Sequence, residues 1–372
     1  MSAACARNPR SGIATFARAA GSVPLMTGRI RVGVIGIEHL HLFEMVDGLV
    51  RAGAEVAAVD AEPGPLLDLF GGWQPEARRV DRSAMLGDDS IDVIVLAGVP
   101  ADRASVAVEA LRAGKHVFAA KPAVTTAADL ALVDAAATEH HRRWWVFFSE
   151  RLTNRAVIEA VRLCGAGAIG RVVAVSGSAP HTLAAPTRPP WFFDTRRAGG
   201  ILTDLAAHQA DQFLSLAGPG TWEVTGALAA NLATPDHPDF CDLGRFSIRH
   251  TRLDGTVVVG HHHVDWLSPA GLGTWGDVRL TITGEEGSVE VRSNIDVCGH
   301  DGAEHLLVVD GSSARRVDCS AVVIDWADRL LAEVRGGPTF LPHSHVVDAC
   351  RVAIAAQCQA GADAPGLVGG AA

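Results

Sequence analysis

Hydrophobic positions follow two alternating patterns over residues 29–150. Continuous apolar runs begin near residues 30, 54, 92, 115 and 143, and between most of them lie segments whose apolar positions recur every three or four residues. Continuous runs are typical of strands that are buried on both faces, and a spacing of three to four indicates amphipathic helices. The pattern therefore predicts an α/β fold in which residues 29–150 form a Rossmann-type domain, a parallel sheet covered by helices.

The pattern changes after residue 150. Eight strand candidates follow one another between residues 171 and 320, and several are joined by turn dipeptides at Asp254-Gly255, Glu286-Gly287 and Asp310-Gly311. Because such hairpin turns join antiparallel neighbours, residues 151–359 are predicted to form a second α/β domain with an open, mostly antiparallel sheet. Residues 1–28 are interpreted as a disordered extension or a mis-assigned start, and residues 360–372 as a flexible tail.

Composition and charge narrow the classes of function. The chain is 48% hydrophobic and 20% charged, and its formal charge of −10 argues against nucleic acid or an anionic membrane as the main partner. The longest apolar runs are far shorter than the ~20 residues of a membrane-spanning helix. The seven cysteines contain no C-x-x-C pair, which favours reduced thiols in a cytoplasmic protein and predicts no metal site.

The first strand leads into a turn that resembles a dinucleotide-binding fingerprint. Gly36 holds the first glycine position of G-x-G-x-x-G, but the second and third positions hold Glu38 and His41. Asp60 ends the second strand 24 residues after Gly36, close to the offset of about 20 residues expected for an acid that accepts a ribose 2′-hydroxyl. That placement favours NAD over NADP, although Asp60 alone is equally consistent with the start of a turn.

Three further residues are candidates for chemistry. Lys121 follows a predicted parallel strand, at the edge where such sheets bind ligands, and Pro122 follows it directly. Asp204 and His208 are four residues apart in a predicted helix, so their side chains share one face. A carboxylate beside an imidazole is a plausible acid–base unit in which Asp204 orients His208.

Together these features resemble the Gfo/Idh/MocA oxidoreductases, the glucose–fructose oxidoreductase and inositol dehydrogenase group. Gly36 matches that family's glycine-rich turn, Lys121-Pro122 its E-K-P motif, and Gly200, Asp204 and His208 its G-G-G-x-x-x-D-x-x-x-H helix. The glutamate of E-K-P is replaced by Ala120. The turn "GIEHLH" is similar to a subgroup with G-x-[DE]-H-x-H in place of G-x-G-x-x-G.

The resemblance implies hydride transfer between a nicotinamide cofactor and a secondary alcohol of a sugar, polyol or cyclitol. His208 acts as the base, and Lys121 hydrogen-bonds the reacting oxygen. It also implies a homo-dimer or homo-tetramer. The cofactor is expected to be NAD rather than NADP, and it is expected to contact Gly36, Ile37, Glu38, His39, Asp60, Lys121 and Pro122. The polar and aromatic loop before the catalytic helix is expected to bind the substrate through His181, Arg188, Trp191, Asp194 and Arg197.

Other interpretations remain open at this point. A carboxylate at position 38 is unfavourable beside a pyrophosphate; it could point away and pair with Arg29, Arg31, His39 or His41, or the chain could be a non-catalytic, regulatory nucleotide-binding homologue. A lyase or epimerase that uses tightly bound NAD transiently is a third hypothesis. The run "HHHVD", residues 261–265, suggests a metal, but only alternate residues of a strand share a face.

Overall fold

The computed structural model describes residues 28–296 and 298–362, so the predictions for the N-terminal extension and for most of the tail lie outside the described residues. Fourteen strands are described: β1 (Arg31–Ile35), β2 (Glu55–Asp60), β3 (Arg78–Arg79), β4 (Val93–Leu96), β5 (His116–Ala120), β6 (Trp144–Phe147), β7 (Val172–Pro180), β8 (Gly220–Ala230), β9 (Leu243–Arg252), β10 (Val257–Asp265), β11 (Arg279–Gly284), β12 (Gly287–Arg292), β13 (His305–Asp310) and β14 (Ala314–Val317). Twelve α-helices are described: α1 (His41–Arg51), α2 (Pro65–Trp73), α3 (Arg82–Leu86), α4 (Pro100–Arg112), α5 (Ala127–Glu139), α6 (Ser149–Leu152), α7 (Arg155–Gly165), α8 (Thr195–Ala198), α9 (Ile201–Asp204), α10 (Ala206–Ala217), α11 (Trp326–Val334) and α12 (His343–Ala362).

The first six strands form one parallel sheet in the order β3-β2-β1-β4-β5-β6. Strands β4 and β6 are buried along their whole length, as their continuous apolar sequences predict. The strand order reverses between β1 and β4, and ligands of such sheets bind outside the carboxyl ends of the strands at this reversal. The predicted Rossmann-type sheet is confirmed, with β3 as a short edge strand that the sequence pattern did not indicate.

The other eight strands form a second sheet in the order β14-β13-β12-β11-β7-β10-β9-β8. Neighbours are antiparallel except for β7 and β10, which run parallel in the middle of the sheet. The alternation of buried and exposed residues along β9 and β11 shows that one face is packed and the other is open. The predicted, mostly antiparallel sheet is therefore confirmed.

Helices close the packed face and join the two sheets. Helix α12 packs on β8, α9 and α10 of the second unit and also contacts α5 and β6 of the first. On α11, Trp326 lies beside Phe118 and Phe147 of the parallel sheet. It also lies so close to α1 that a Cβ at Gly48 would stand 2.2 Å from its ring. The C-terminal helices thus fix the parallel sheet against the second unit, while the division into residues 29–150 and 151–359 stays a prediction.

Across the described ranges, no helix combines the length and apolarity needed to cross a membrane.

Candidate active site

The carboxyl ends of the parallel strands face helices α9 and α10 across a cavity of about 470 Å³. The cavity wall has three sources: the β1–α1 turn, the segments that follow β5 and β6, and loops of the second sheet. Residues from all three sources line it, namely Glu38, His39, His41, Lys121, Pro122, Glu150, His181, Arg188, Trp191, Asp204, His208, Trp266, Trp275 and Asn294. Residues that are far apart in the sequence thus meet at the sheet edge where the sequence placed its candidates.

Lys121 and Asp204 form a buried ion pair on this wall. Lys121 follows the last residue of β5, and its Nζ donates to Asp204 Oδ1 at 2.8 Å. The side chains are 4% and 13% exposed, so the pair is largely shielded from solvent. The Asp204 carboxylate is thus turned towards the ammonium group that follows strand β5, and its role in orienting His208 stays a prediction. The hydrogen bond to buried Lys121, rather than the helix face that Asp204 shares with His208, determines where this carboxylate points.

His208 lies on α10 with its imidazole in the same cavity. Burial, followed by the positive charge of Lys121, holds the pKa of His208 well below its usual range. Its Nδ1 is buried and finds no hydrogen-bond partner in the described part of the chain. The ring is therefore neutral at physiological pH and has the free capacity to accept a proton, as a general base requires.

Three more histidines surround this centre. His39 and His41 come from the turn after β1, with ring centroids 4.5 Å apart, and the His41 ring lies 5.9 Å from that of His208. Burial also lowers the pKa of His39 and His41, and it lowers that of His181 to about 4. The unusual G-x-E-H-x-H turn thus delivers two neutral imidazoles into the main cavity.

Histidines are common metal ligands, so their grouping can be compared with the geometry of a metal site. Within residues 28–296 and 298–362, no group of three His, Cys, Asp or Glu side chains has the geometry to hold a metal ion. The run at residues 261–265 lies on β10, where His263 Nε2 bonds Asp265 Oδ2 at 2.6 Å and His263 Nδ1 accepts from Arg245. These contacts satisfy the polar atoms of the His263 ring within the sheet.

The β1–α1 turn contacts the carboxylate of its own residue Glu38. Gly36 adopts φ +73°, and a Cβ there would stand 2.4 Å from the Gly98 backbone, so this position requires glycine. The Ile37 N–H donates to Glu38 Oε2 at 2.8 Å. The Glu38 carboxylate thus folds onto the turn and pairs with none of the cations or histidines considered from the sequence. Backbone N–H groups at a strand–helix turn bind phosphate in dinucleotide folds, and here one of them is occupied by the neighbouring carboxylate.

A second cavity of about 380 Å³ adjoins the turn and suits the adenosine half of a dinucleotide. Gly36, Glu38 and Asp60 line it, and Asp60 Oδ2 lies 4.0 Å from Arg82 Nε. Arg103 also contributes to its wall and is fully buried. Its guanidinium donates to the carbonyls of Gly98, Ala120 and Pro122, which fixes the loop after β4 and the segment that carries Lys121.

The structure brings three of the five predicted substrate residues to the main cavity. His181, Arg188 and Trp191 line it. Arg188 is partly engaged elsewhere, since its Nε donates to the Leu183 carbonyl at 2.8 Å and its guanidinium lies over Phe192. The loop after β7 is therefore both a wall of the cavity and a structure held together by its own arginine.

The other two predicted substrate residues lie elsewhere. Asp194 caps α8 by accepting from the Arg196 N–H, and it also pairs with the Arg196 side chain. Arg197 forms a two-point pair with Asp102, at 3.0 and 2.8 Å, beside the second cavity. Neither side chain lines the main cavity, because Asp194 caps a helix and Arg197 joins the two units, and their contacts with a substrate stay predictions.

Sequence reasoning missed several residues of the cavity wall. Glu150 follows β6 and is 7% exposed, and burial raises its pKa to about 8. Trp266, Trp275 and Asn294 come from loops of the second sheet. The one signal available for Glu150 was its position just after a buried parallel strand, the same signal that indicated Lys121.

Comparison with known proteins agrees with this geometry. The family described as "Oxidoreductase family, NAD-binding Rossmann fold" matches residues 30–148, and the "GFO/IDH/MocA C-terminal domain" matches residues 157–290. The chain belongs to the GFO/IDH/MocA family. A solved structure of a protein from Erwinia carotovora atroseptica SCRI1043 is 34% identical in sequence to this chain. The match covers 89% of this chain and 99% of that one, with a TM-score of 0.85.

Relatives with named activities are more distant. Inositol 2-dehydrogenase from Acidothermus cellulolyticus is 26% identical over 268 residues, 72% of each chain. Inositol 2-dehydrogenase from Salmonella typhimurium is 30% identical over 155 residues, so the chain matches slightly less than half (45%) of that enzyme. Levoglucosan dehydrogenase in complex with NADH shares the fold, with a TM-score of 0.75 at 20% identity over 90% of this chain and 98% of that one.

These findings confirm the predicted GFO/IDH/MocA membership and an NAD-binding Rossmann domain of the oxidoreductase family. The roles of individual site residues and the preference for NAD over NADP stay predictions.

Proposed function

We propose that this protein is an NAD-dependent dehydrogenase that oxidises a secondary alcohol of a sugar, polyol or cyclitol and catalyses the reverse reduction. The observation that carries the proposal is the meeting of the Lys121–Asp204 pair with the neutral His208 in one cavity beside the cofactor turn. A charged donor and a neutral base beside one substrate oxygen are the groups that alcohol oxidation requires.

The charge and burial of each residue determine its role in the reaction. NAD, when bound, supplies the hydride acceptor. Lys121 donates a hydrogen bond to the reacting oxygen and stabilises negative charge on it as the hydroxyl proton leaves. His208 takes that proton on its neutral ring. Asp204 orients the buried Lys121 ammonium group through the hydrogen bond that it accepts from Nζ.

The cofactor is assigned to the strand ends on either side of the reversal in strand order. The turn at Gly36, Ile37 and Glu38 provides the anion site, and Asp60 lies where it can accept the ribose 2′-hydroxyl. His39 and Pro122 line the main cavity on the nicotinamide side, next to Lys121. A carboxylate at position 60 disfavours a 2′-phosphate, so NAD is the proposed cofactor.

The substrate class follows the shape and chemistry of the cavity. Polar groups such as Asn294 alternate with the indole rings of Trp191, Trp266 and Trp275, a wall that suits a polyhydroxylated ring. Relatives named as dehydrogenases of inositol, D-xylose and levoglucosan act on such compounds. These names support a sugar or cyclitol as substrate without selecting one.

A screen tests the proposal. Inositols, pentoses, hexoses and anhydrosugars are incubated with the protein and either NAD or NADP, and formation of NADH or NADPH is followed by absorbance. Loss of the base in His208→Asn should lower kcat by about 10²–10⁴-fold, while NADH binding followed by fluorescence stays unchanged. Lys121→Met should behave similarly.

Two results would favour the rival interpretations. Failure of the wild type to bind NADH at millimolar concentration would indicate a regulatory homologue, for which the carboxylate in the turn is the specific observation. Cofactor that copurifies with the protein, with turnover but no release of NADH, would indicate a lyase or epimerase.

We further propose a homo-dimer or homo-tetramer formed through the open face of the eight-stranded sheet. This face exposes apolar side chains in neighbouring rows, namely Leu228, Val259, Leu307 and Val309. Exposed apolar side chains grouped on one sheet face are typical of an interaction surface. Light scattering after gel filtration should give the mass of two or four chains, and Val259→Glu should lower it.

A cytoplasmic location is also part of the proposal. It is supported by the cysteines within the described residues, which are all free thiols. Cell fractionation with an antibody against the native protein tests it.

A further inference from the structure

The side chain of Glu150 is a buried group of the main cavity that the dehydrogenase mechanism above does not use. Glu150 lies in α6, directly after β6, and is 7% exposed. Helix α6 begins at the same sheet edge as Lys121, and its glutamate faces the helix that carries His208. Its position at the ligand-binding edge prompts the question of what its carboxyl group contacts.

The two oxygens of Glu150 have different surroundings. Oε2 accepts from the side-chain amides of Gln209 and Gln212 on α10, at 2.8 and 3.3 Å. Oε1 is buried and has no hydrogen-bond partner in the described ranges of the chain. The helix that positions His208 therefore fixes the orientation of the Glu150 carboxyl group and leaves one buried oxygen without a hydrogen-bond partner among the described residues.

His181 faces this free oxygen with a defined tautomer. Its Nδ1 lies 3.0 Å from the carbonyl oxygen of Ala179, which can only accept, so Nδ1 carries the proton. Because burial lowers the pKa of His181 to about 4, the ring is neutral and Nε2 is an acceptor. Nε2 lies 3.9 Å from Glu150 Oε1, too far for a direct hydrogen bond.

We propose that Glu150 and His181 bind one hydroxyl group of the substrate between Glu150 Oε1 and His181 Nε2. A hydroxyl oxygen at an ordinary distance of about 2.8 Å from both atoms fits a separation of 3.9 Å. The hydroxyl donates its proton to His181 Nε2 and accepts the proton of a neutral Glu150 carboxyl group. The proposal rests on the proposed function and makes Glu150 a substrate-binding residue that selects for a hydroxyl beyond the one oxidised.

The surroundings of Glu150 favour the neutral form that this role needs. Burial raises its pKa to about 8 and Asp211 adds to the rise, whereas Lys121 and the two glutamine amides act in the opposite direction. The charged and titratable groups that face it are Lys121 after β5, His181 after β7 and Asp211 on α10. Lys121 is already paired with Asp204, so it does not hold Glu150 as a carboxylate.

The first experiment measures protonation without any substrate. Infrared spectra of the full-length protein at about pH 6.5 should contain the carbonyl band of a protonated carboxylic acid that is absent from Glu150→Gln. Glu159→Gln is the matched control, because Glu159 lies on α7 outside the cavity and its hydrogen-bonded pair with Arg162 lowers its pKa. The band should disappear as the pH is raised through about 8. Absence of the band from the wild type at pH 6.5 overturns the proposal.

The second experiment measures binding of the hydroxyl, using the best substrate from the screen. Glu150→Leu should raise KM about tenfold or more and change kcat less than about threefold. Glu150→Gln, whose amide still donates, should keep KM within about threefold and abolish the rise in KM that the wild type shows above about pH 8. A deoxy analogue that lacks the bound hydroxyl should be used equally well by wild type and Glu150→Leu. A fall in kcat with unchanged KM overturns the proposal.

If no compound is oxidised, the proposed function fails and binding alone decides the inference. Calorimetric titration of the wild type and Glu150→Leu with inositol, D-xylose and levoglucosan, each in the presence of NADH, should then show tighter binding by the wild type. Equal binding, or none, contradicts the role of Glu150. Melting curves and NADH binding establish that the variants are folded.

Discussion

The Glu38 carboxylate is predicted to compete with the cofactor for the turn. Its Oε2 accepts from the Ile37 N–H at 2.8 Å, and this backbone group is one that a dinucleotide pyrophosphate uses in such folds. Binding of NADH must displace this carboxylate. We therefore expect that substitutions of Glu38 tighten NADH binding, although the residue belongs to the cofactor site.

The magnitude follows from the hydrogen bond that is lost. A bond to a charged acceptor contributes about 1.5–3 kcal/mol, and one to a neutral acceptor about 0.5–1.5 kcal/mol. Glu38→Gln replaces the first kind by the second, which corresponds to about a five- to tenfold decrease in Kd. Glu38→Ala removes the competitor and should decrease Kd by about ten- to a hundredfold. The affinity for NADH should be highest in Glu38→Ala, intermediate in Glu38→Gln and lowest in the wild type.

Energy transfer from tryptophan to bound NADH gives the Kd for each variant. Glu76→Gln serves as the control, because it removes the same charge from an exposed position outside both cavities. Weaker binding by both Glu38 variants would refute the reasoning, since the carboxylate would then contact the cofactor favourably. Equal binding by wild type and Glu38→Ala would show that the carboxylate leaves the turn without measurable cost.

Three further predictions follow from the ion pairs and the buried acid. Asp60→Ala should shift the ratio of NADPH to NADH affinity by about tenfold or more towards NADPH in fluorescence titrations, because Arg82 then faces the 2′ position without a carboxylate. Asp204→Asn should lower the free energy of unfolding in urea by about 3–5 kcal/mol, because Lys121 stays buried without its partner, and adding Lys121→Met should restore most of the loss. Glu150→Gln should gain free energy of unfolding relative to the wild type as pH rises from about 5 to 8, by at most about 1.4 kcal/mol per pH unit. The reason is that the folded wild type retains a proton on Glu150 that the unfolded chain releases. A difference that stays constant with pH would contradict the raised pKa.

Local patterns were sufficient to predict the fold. The parallel strands are buried on both faces and therefore have continuous apolar sequences, and the hairpins of the second sheet carry turn dipeptides that end in glycine, among which Gly255 adopts φ +82°. The strand β3 escaped prediction because its two residues, Arg78 and Arg79, are exposed and have no apolar pattern.

The site was predictable only where one element determines the position. Lys121 could be placed because the end of a parallel strand fixes where the next residue lies. The hydrogen-bond partner of Asp204 could not be predicted. Helix spacing shows which residues share a helix face, but it does not show that the end of β5 lies opposite. Asp194 was assigned to the substrate from the composition of its loop, but a carboxylate one residue before a helix also caps it. Glu150 carries no local motif, and its role depends on α10 and on the end of β7.

The parallel pairing of β7 and β10 inside an otherwise antiparallel sheet has a consequence for how substrate preference can change. Because the two strands run the same way, Pro180 and Asp265 lie opposite each other, and both chains leave the sheet at the cavity. Two loops, residues 181–200 and 266–278, therefore form the same wall although 85 residues separate their starting points. Loops tolerate changes of length and sequence better than the elements that they connect, although Arg197 in the first loop is held by Asp102. If the proposed function holds, exchange of the two loops together between relatives should change which sugar or cyclitol is preferred.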